Sequence, residues 1–186
     1  MVIFGRIKSS SIQLEKLATT ESPFDIFQKL YGIYDRVYIL ESLVGPKELA
    51  EMTIIGFDPK LVVKCDFNKF IVQNRFGKIL HSSQVREPLA QLRELVPEVK
   101  DHRFRFIGGA VGYISYDAVQ LWEAIAMNNR KKSSKFPLLE FGIYDDGILF
   151  NQKENQGYYF FLEKSRKKEV EHKMLQAKKN SKLFSY

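Results

Sequence analysis

Few residues of this 186-residue chain are spaced for chemistry, and the best placed are Glu41 and Ser42. They follow the apolar run Val37-Tyr38-Ile39-Leu40 and precede the turn-forming Gly45-Pro46. A carboxylate delivered to the end of an apolar strand is half-buried and needs a donor, because a desolvated polar group costs free energy unless it is hydrogen-bonded. Two roles fit the residues equally well: tying down the turn, or forming part of a binding site. Asp145-Asp146 is a second carboxylate pair, read as a hairpin tip where Asp is favoured by turn geometry. His81, His102 and His172 are isolated, with no second ligand at metal-binding spacing, so zinc is not expected. No P-loop, no Gly-x-Ser-x-Gly elbow and no His-Glu-x-x-His occurs. The single Cys65 lies in the strand-like Leu61–Asp66 and reads as buried packing rather than as a nucleophile.

The most unusual segment is Phe106-Ile107-Gly108-Gly109-Ala110-Val111-Gly112-Tyr113-Ile114-Ser115-Tyr116-Asp117. Glycine inside a strand forfeits side-chain packing, so three of them among aromatic and β-branched residues indicate a bulge or a close backbone approach. A dinucleotide loop is not expected, because the first-glycine spacing and a later acidic residue in a βαβ unit are missing.

The elements that must position these residues follow from local patterns. Ser22-Pro23-Phe24-Asp25 is a helix start: Ser caps, Pro fits the first helical position and Asp complements the dipole. The helix is expected to run to about Tyr34, with Phe24, Phe27, Leu30, Tyr31 and Tyr34 as its core stripe. Strands are expected at Val37–Leu40, Met52–Phe57, Leu61–Asp66 and Lys69–Gln73, with Asn74-Arg75-Phe76-Gly77 turning into Lys78–His81. A helix over Val85–Val96 ends before Pro97. A strand over Phe104–Ser115 then carries the glycines, and a short helix spans Ala118–Ala126. Leu138–Tyr144, Gly147–Asn151 and Tyr158–Leu162 read as three strands joined by hairpins, and Ser165–Lys179 as a weakly amphipathic helix. The fold expected is α+β, a mostly antiparallel sheet with helices packed on it. Its domain occupies residues 1–164, and a basic helical tail spans 165–186.

Composition narrows the class further. With 45% hydrophobic residues the chain is long enough for a well-buried core. No apolar run reaches the roughly eighteen residues of a membrane span, and no signal-like core opens the chain, so a cytoplasmic protein without membrane contact is expected. The net charge of +7 is uneven: residues 1–129 hold 16 Lys/Arg against 15 Asp/Glu, and residues 130–186 hold 13 against 7. The clusters Arg130-Lys131-Lys132 and Arg166-Lys167-Lys168 carry the excess and read as solvated surface.

In this order and spacing, Leu40-Glu41-Ser42, Gly45-Pro46, Ile55-Gly56-Phe57-Asp58-Pro59 and Gly108-Gly109-x-x-Gly112-Tyr113-x-x-Tyr116-Asp117 resemble the amino-terminal domain of anthranilate synthase component I. Aminodeoxychorismate synthase component I, of the 4-aminobenzoate branch, is the close alternative. The resemblance runs from about Ser22 to Glu163 and implies one half of a β-sandwich. It implies that Glu41 and Ser42, with the hydroxyl of Thr53, form an effector site for tryptophan, the feedback inhibitor. Relatives commonly carry Arg-Tyr-Ser where this chain has Glu51-Met52-Thr53, so a cation is replaced by an anion beside that site. Gly108, Gly109, Gly112, Tyr113, Tyr116 and Asp117 are a structural signature, with no catalytic residue among them. The resemblance also implies that the catalytic groups and the Mg2+ carboxylates of the complete enzyme belong to a carboxy-terminal catalytic half. Ammonia reaches that half from a glutamine amidotransferase subunit, and the 186-residue chain alone is expected not to turn over chorismate. A basic module binding RNA or DNA through the two cationic clusters is the alternative from another class; no RNP-like pattern supports it, and no nucleic-acid partner is expected.

Overall fold

In a computed structural model, the residues described are 11–41, 52–67, 69–99, 108–123 and 136–177. Along them run β1 (Gln13–Lys16), α1 (Pro23–Tyr31), β2 (Val37–Glu41), β3 (Met52–Phe57), β4 (Leu61–Asp66), β5 (Lys69–Asn74) and β6 (Ile79–Gln84). These are followed by α2 (Pro88–Leu95), β7 (Gly109–Ile114), a 3-10 helix (Tyr116–Leu121), β8 (Leu139–Tyr144), β9 (Asp146–Asn151), β10 (Gln156–Phe161) and α3 (Lys167–Gln176). The strands form two five-stranded sheets, each in its own compact unit, and every strand pair with a defined register is antiparallel. This is the α+β architecture expected. Among the described residues no helix is long and apolar enough to cross a membrane.

One unit comprises the described residues of 59–98 and 109–143, with sheet order β6-β5-β4-β8-β7. Its core gathers Val63, Cys65, Phe70, Val72, Leu139 and Ile143 beneath Leu92 and Leu95 of α2. Cys65 is buried, as its setting suggested. Helix α2 starts at Pro88 rather than Val85, because proline disfavours helical backbone at the residue before it. The same effect from Pro97 leaves Val96 extended. The β5–β6 turn is held by Asn74, whose Oδ1 accepts the backbone N–H groups of Phe76 and Lys78, both at 3.0 Å. The helix expected at Ala118–Ala126 is a 3-10 helix starting two residues earlier, and residues 124–126 lie outside the described residues.

The other unit comprises the described residues of 9–58, 99–108 and 144–186, with sheet order β1-β10-β9-β3-β2. Ser22 caps α1 by accepting the Asp25 N–H at 3.1 Å, with Pro23 at the first helical position, as the sequence required. Ile26 and Leu30 are the fully buried face of α1, whereas Phe24 and Tyr31 are substantially exposed. On one face of the sheet, Ile55, Phe57, Ile148, Phe150, Tyr159 and Phe161 pack with Ile26, Leu30 and Val170 of α3. On the opposite face, Ile54, Leu149, Phe160 and Leu162 form a second cluster with Ile12.

One expectation is corrected here. The hairpin expected between Leu138–Tyr144 and Gly147–Asn151 does not form: β8 and β9 belong to different sheets, and Asp145 links them. Helix α3 packs through Val170, which is buried in the same core as α1.

Candidate functional site

The face of the second sheet that carries Ile55, Phe57, Ile148 and Phe150 ends in polar residues. Side chains alternate across a strand, so Glu41 shares this face with Val37 and Ile39, and Thr53 shares it with Ile55 and Phe57. The β2–β3 register places Glu41 directly opposite Thr53, and the β3–β9 register places Thr53 opposite Phe150. Glu41 is exposed at the strand end. Thr53 is 0% exposed, and its Oγ1 accepts a hydrogen bond from Gln152 Nε2 at 3.3 Å. Glu41 and Thr53 thus face each other across β2 and β3, and Gln152, which the sequence did not single out, bonds Thr53. Ser42 and Glu51 lie outside the described residues.

A second polar group sits on the same side of this sheet and overturns two expectations. Asp146 is 4% exposed rather than at a solvated turn, and Arg166 is not free surface charge. The guanidinium grips Asp146 through two bonds, Nε to Oδ2 at 2.7 Å and Nη2 to Oδ1 at 2.9 Å, and its Nη1 bonds Asp58 Oδ2. The Tyr159 hydroxyl also donates to Asp146 Oδ2. A planar fork facing a carboxylate is the geometry that makes Arg, rather than Lys, suited to such a site. Burial alone would lower the Arg166 pKa; the bonds to Asp146 and Asp58 and the Asp146 charge outweigh it and raise it. Burial, reinforced by the Asp146 charge, pushes the Tyr159 phenol well up. Lys167 pairs with Glu171 at 3.4 Å, so the second cationic cluster is largely engaged within the chain. The first, Arg130–Lys132, lies outside the described residues.

The motif around Asp58 gains a physical reading. Asp58 adopts a left-handed backbone, φ 48°, just after β3, and that bend precedes its contact with Arg166. Two residues earlier, the Tyr38 ring lies over Gly56, where a Cβ would meet Tyr38 Cε1 at 2.0 Å. Tyr38 in turn packs edge-on against Tyr144, with centroids 4.9 Å apart.

The glycine signature is also a packing device. In the first unit, a Cβ on Gly112 would lie 2.0 Å from the Glu140 carbonyl oxygen of β8, so only glycine permits that approach. Gly108, in the second unit, has φ 72°, and a Cβ there would lie 2.6 Å from the Tyr144 carbonyl oxygen. Gly109 has φ 102°. The Tyr113 hydroxyl donates to the Pro137 carbonyl at 3.2 Å, and Asp117 lies in the first turn of the 3-10 helix, its carbonyl accepting Gln120 Nε2 at 3.1 Å. Tyr116 is 89% exposed. No group of three or more His, Cys, Asp or Glu is placed to hold a metal ion among the described residues, so the implied Mg2+ finds no fitting ligand set there. His81 bonds Ser83, and His172 bonds Gln176.

Comparison with known proteins adds independent findings. The sequence model described as chorismate binding enzyme matches residues 35–183. Anthranilate synthase component 1 of Methanothermobacter marburgensis is 31% identical over 157 residues, which is 84% of this chain and 32% of that protein. The Methanothermobacter thermautotrophicus protein of the same name is 29% identical over 170 residues, 91% of this chain and 35% of its own length. The Bacillus pumilus one is 35% identical over 102 residues, 54% of this chain and 20% of its own. The chain thus spans about a third or less of these relatives. The crystal structure of anthranilate synthase component I from Streptococcus pneumoniae superposes with a TM-score of 0.49 at 19% identity, covering 87% of this chain and 35% of that one.

Proposed function

We infer, from the premise that this chain belongs to the chorismate binding enzyme family, that it is the amino-terminal structural and regulatory part of an anthranilate synthase component I. The observation carrying this reading is the 31% identity to the Methanothermobacter marburgensis protein across 84% of the chain. The complete enzyme aminates chorismate with ammonia and eliminates pyruvate, in the tryptophan pathway. Its partners are a carboxy-terminal catalytic half and a glutamine amidotransferase subunit that supplies the ammonia. Residues 1–186 alone do not turn over chorismate; their part is to support the catalytic half and to report tryptophan through the Glu41 end of the sheet.

The polar end of that sheet face suits such an effector. A zwitterionic amino acid needs acceptors at its ammonium group, and Glu41 offers an exposed carboxylate beside the buried Thr53. The basic-module alternative loses support from Arg166, which is committed to Asp146 and Asp58.

The test is anthranilate fluorescence from chorismate, Mg2+ and ammonium. It compares the 186-residue chain, a separately produced carboxy-terminal catalytic half, and their mixture. The expected outcome is activity in the mixture well above the sum of the parts, and none from the chain alone. Turnover by the chain alone, or a mixture no better than its folded parts, overturns the reading.

A further inference from the structure

We propose that Gln152, held by Thr53, joins Glu41 as an acceptor for a primary ammonium group, so that Thr53 is a positioning residue that never touches the ligand. The inference rests on the effector reading above and assigns its ammonium subsite. Thr53 is 0% exposed, which keeps its hydroxyl from direct contact, whereas Gln152 is exposed. The single side-chain bond between them runs from Gln152 Nε2 to Thr53 Oγ1 at 3.3 Å. An amide fixed through its nitrogen presents its carbonyl oxygen to the other side, and that oxygen has no partner among the described residues.

Glu41 completes the arrangement. It lies on β2, directly across from Thr53, and no ion pair or hydrogen bond engages its carboxylate among the described residues. Strands β2 and β9 flank β3; Phe150 faces Thr53 on β9 and Gln152 follows two residues later, just past the strand, so Glu41 and Gln152 lie diagonally on either side of Thr53, about 12 Å apart at the backbone from two strand spacings and two residues of rise. Side chains of this length converge across such a gap on one –NH3+ group, which has three donors to share between a carboxylate and an amide oxygen.

The test is calorimetric binding of tryptophan, tryptamine and indole-3-propionate to the full chain. Gln152→Leu is expected to raise Kd for the two amines about tenfold, the loss of one hydrogen bond to a charged group, and to leave indole-3-propionate, which lacks the ammonium, unchanged. Gln152→Glu, adding a second carboxylate, is expected to tighten both amines. Thr53→Val is expected to weaken the amines like Gln152→Leu, with no further loss in the double variant, and Thr53→Ser to restore binding. Amine binding by the wild type that is unmoved by Gln152→Leu overturns this inference and leaves the effector reading standing. Failure of the folded wild type to bind either amine overturns both.

Discussion

At the scale of single residues, the Arg166 guanidinium carries the largest energetic consequence. It neutralises Asp146, a carboxylate with 5% of its side chain exposed, and reaches Asp58 from the far end of the chain. Removing one partner of a buried pair leaves the other charged and desolvated, so Arg166→Met is expected to destabilise the protein by about 3–5 kcal/mol. Urea unfolding followed by circular dichroism measures this. Lys173→Met, whose Nζ pairs with the exposed Glu169 at 2.8 Å, serves as the contrast and is expected to cost less than about 1 kcal/mol. Equal effects would show that the Arg166 cluster is no more than a surface ion pair. None of this was legible beforehand. Arg166 stood in a run of cations and Asp146 beside a second Asp and a Gly, so local composition pointed to solvent and to a turn. The partnership links positions far apart in sequence, and only the tertiary fold reveals it.

At the scale of elements, the glycines of β7 were legible because their anomaly is local: a strand pattern interrupted by residues that pack nothing implies that another backbone comes close. Gly112 against β8 is that approach. Gly112→Ala is expected to cost about 3 kcal/mol, as overpacking against a rigid carbonyl does. Gly77→Ala, at φ 79° with nothing within 4 Å of its Cβ, is expected to cost about 1 kcal/mol from backbone strain alone. Comparing the two thermal midpoints checks whether contact or conformation is responsible. Strands with apolar alternation and clear turns were read correctly to within a few residues. Strand β1 was not anticipated, because four residues with partial burial leave little pattern. In α1 the large aromatics Phe24 and Tyr31 suggested a stripe rotated away from the true one, where Ile26 is buried at 1% exposure. Sheet membership was the deeper failure: nothing in Tyr144-Asp145-Asp146 distinguishes a hairpin from a chain leaving one sheet for another.

At the scale of the whole molecule, the buried phenols predict a response to alkali. Burial raises the pKa of Tyr34, Tyr38 and Tyr159 above the ordinary 10.0. An acid held more firmly protonated in the folded state contributes stability that is complete below its unfolded pKa and is lost as pH rises beyond it. The urea midpoint is therefore expected to show no tyrosine-linked change below pH 9, and to fall above about pH 10 as phenolate absorbance appears with unfolding. Phenolate absorbance appearing fully at pH 10 in a folded protein would contradict the burial of these rings. The account's central claim, a regulatory domain whose effector site lies at the Glu41 end of the sheet, is tested most directly by titrating tryptophan into the enzyme reconstituted from this chain and a catalytic half. Anthranilate formation is expected to be inhibited, and Glu41→Gln to raise the inhibitory concentration about tenfold or more while leaving uninhibited turnover unchanged, the loss of one charge-assisted contact. Wild-type turnover indifferent to tryptophan, or inhibition unaltered by Glu41→Gln, would contradict it.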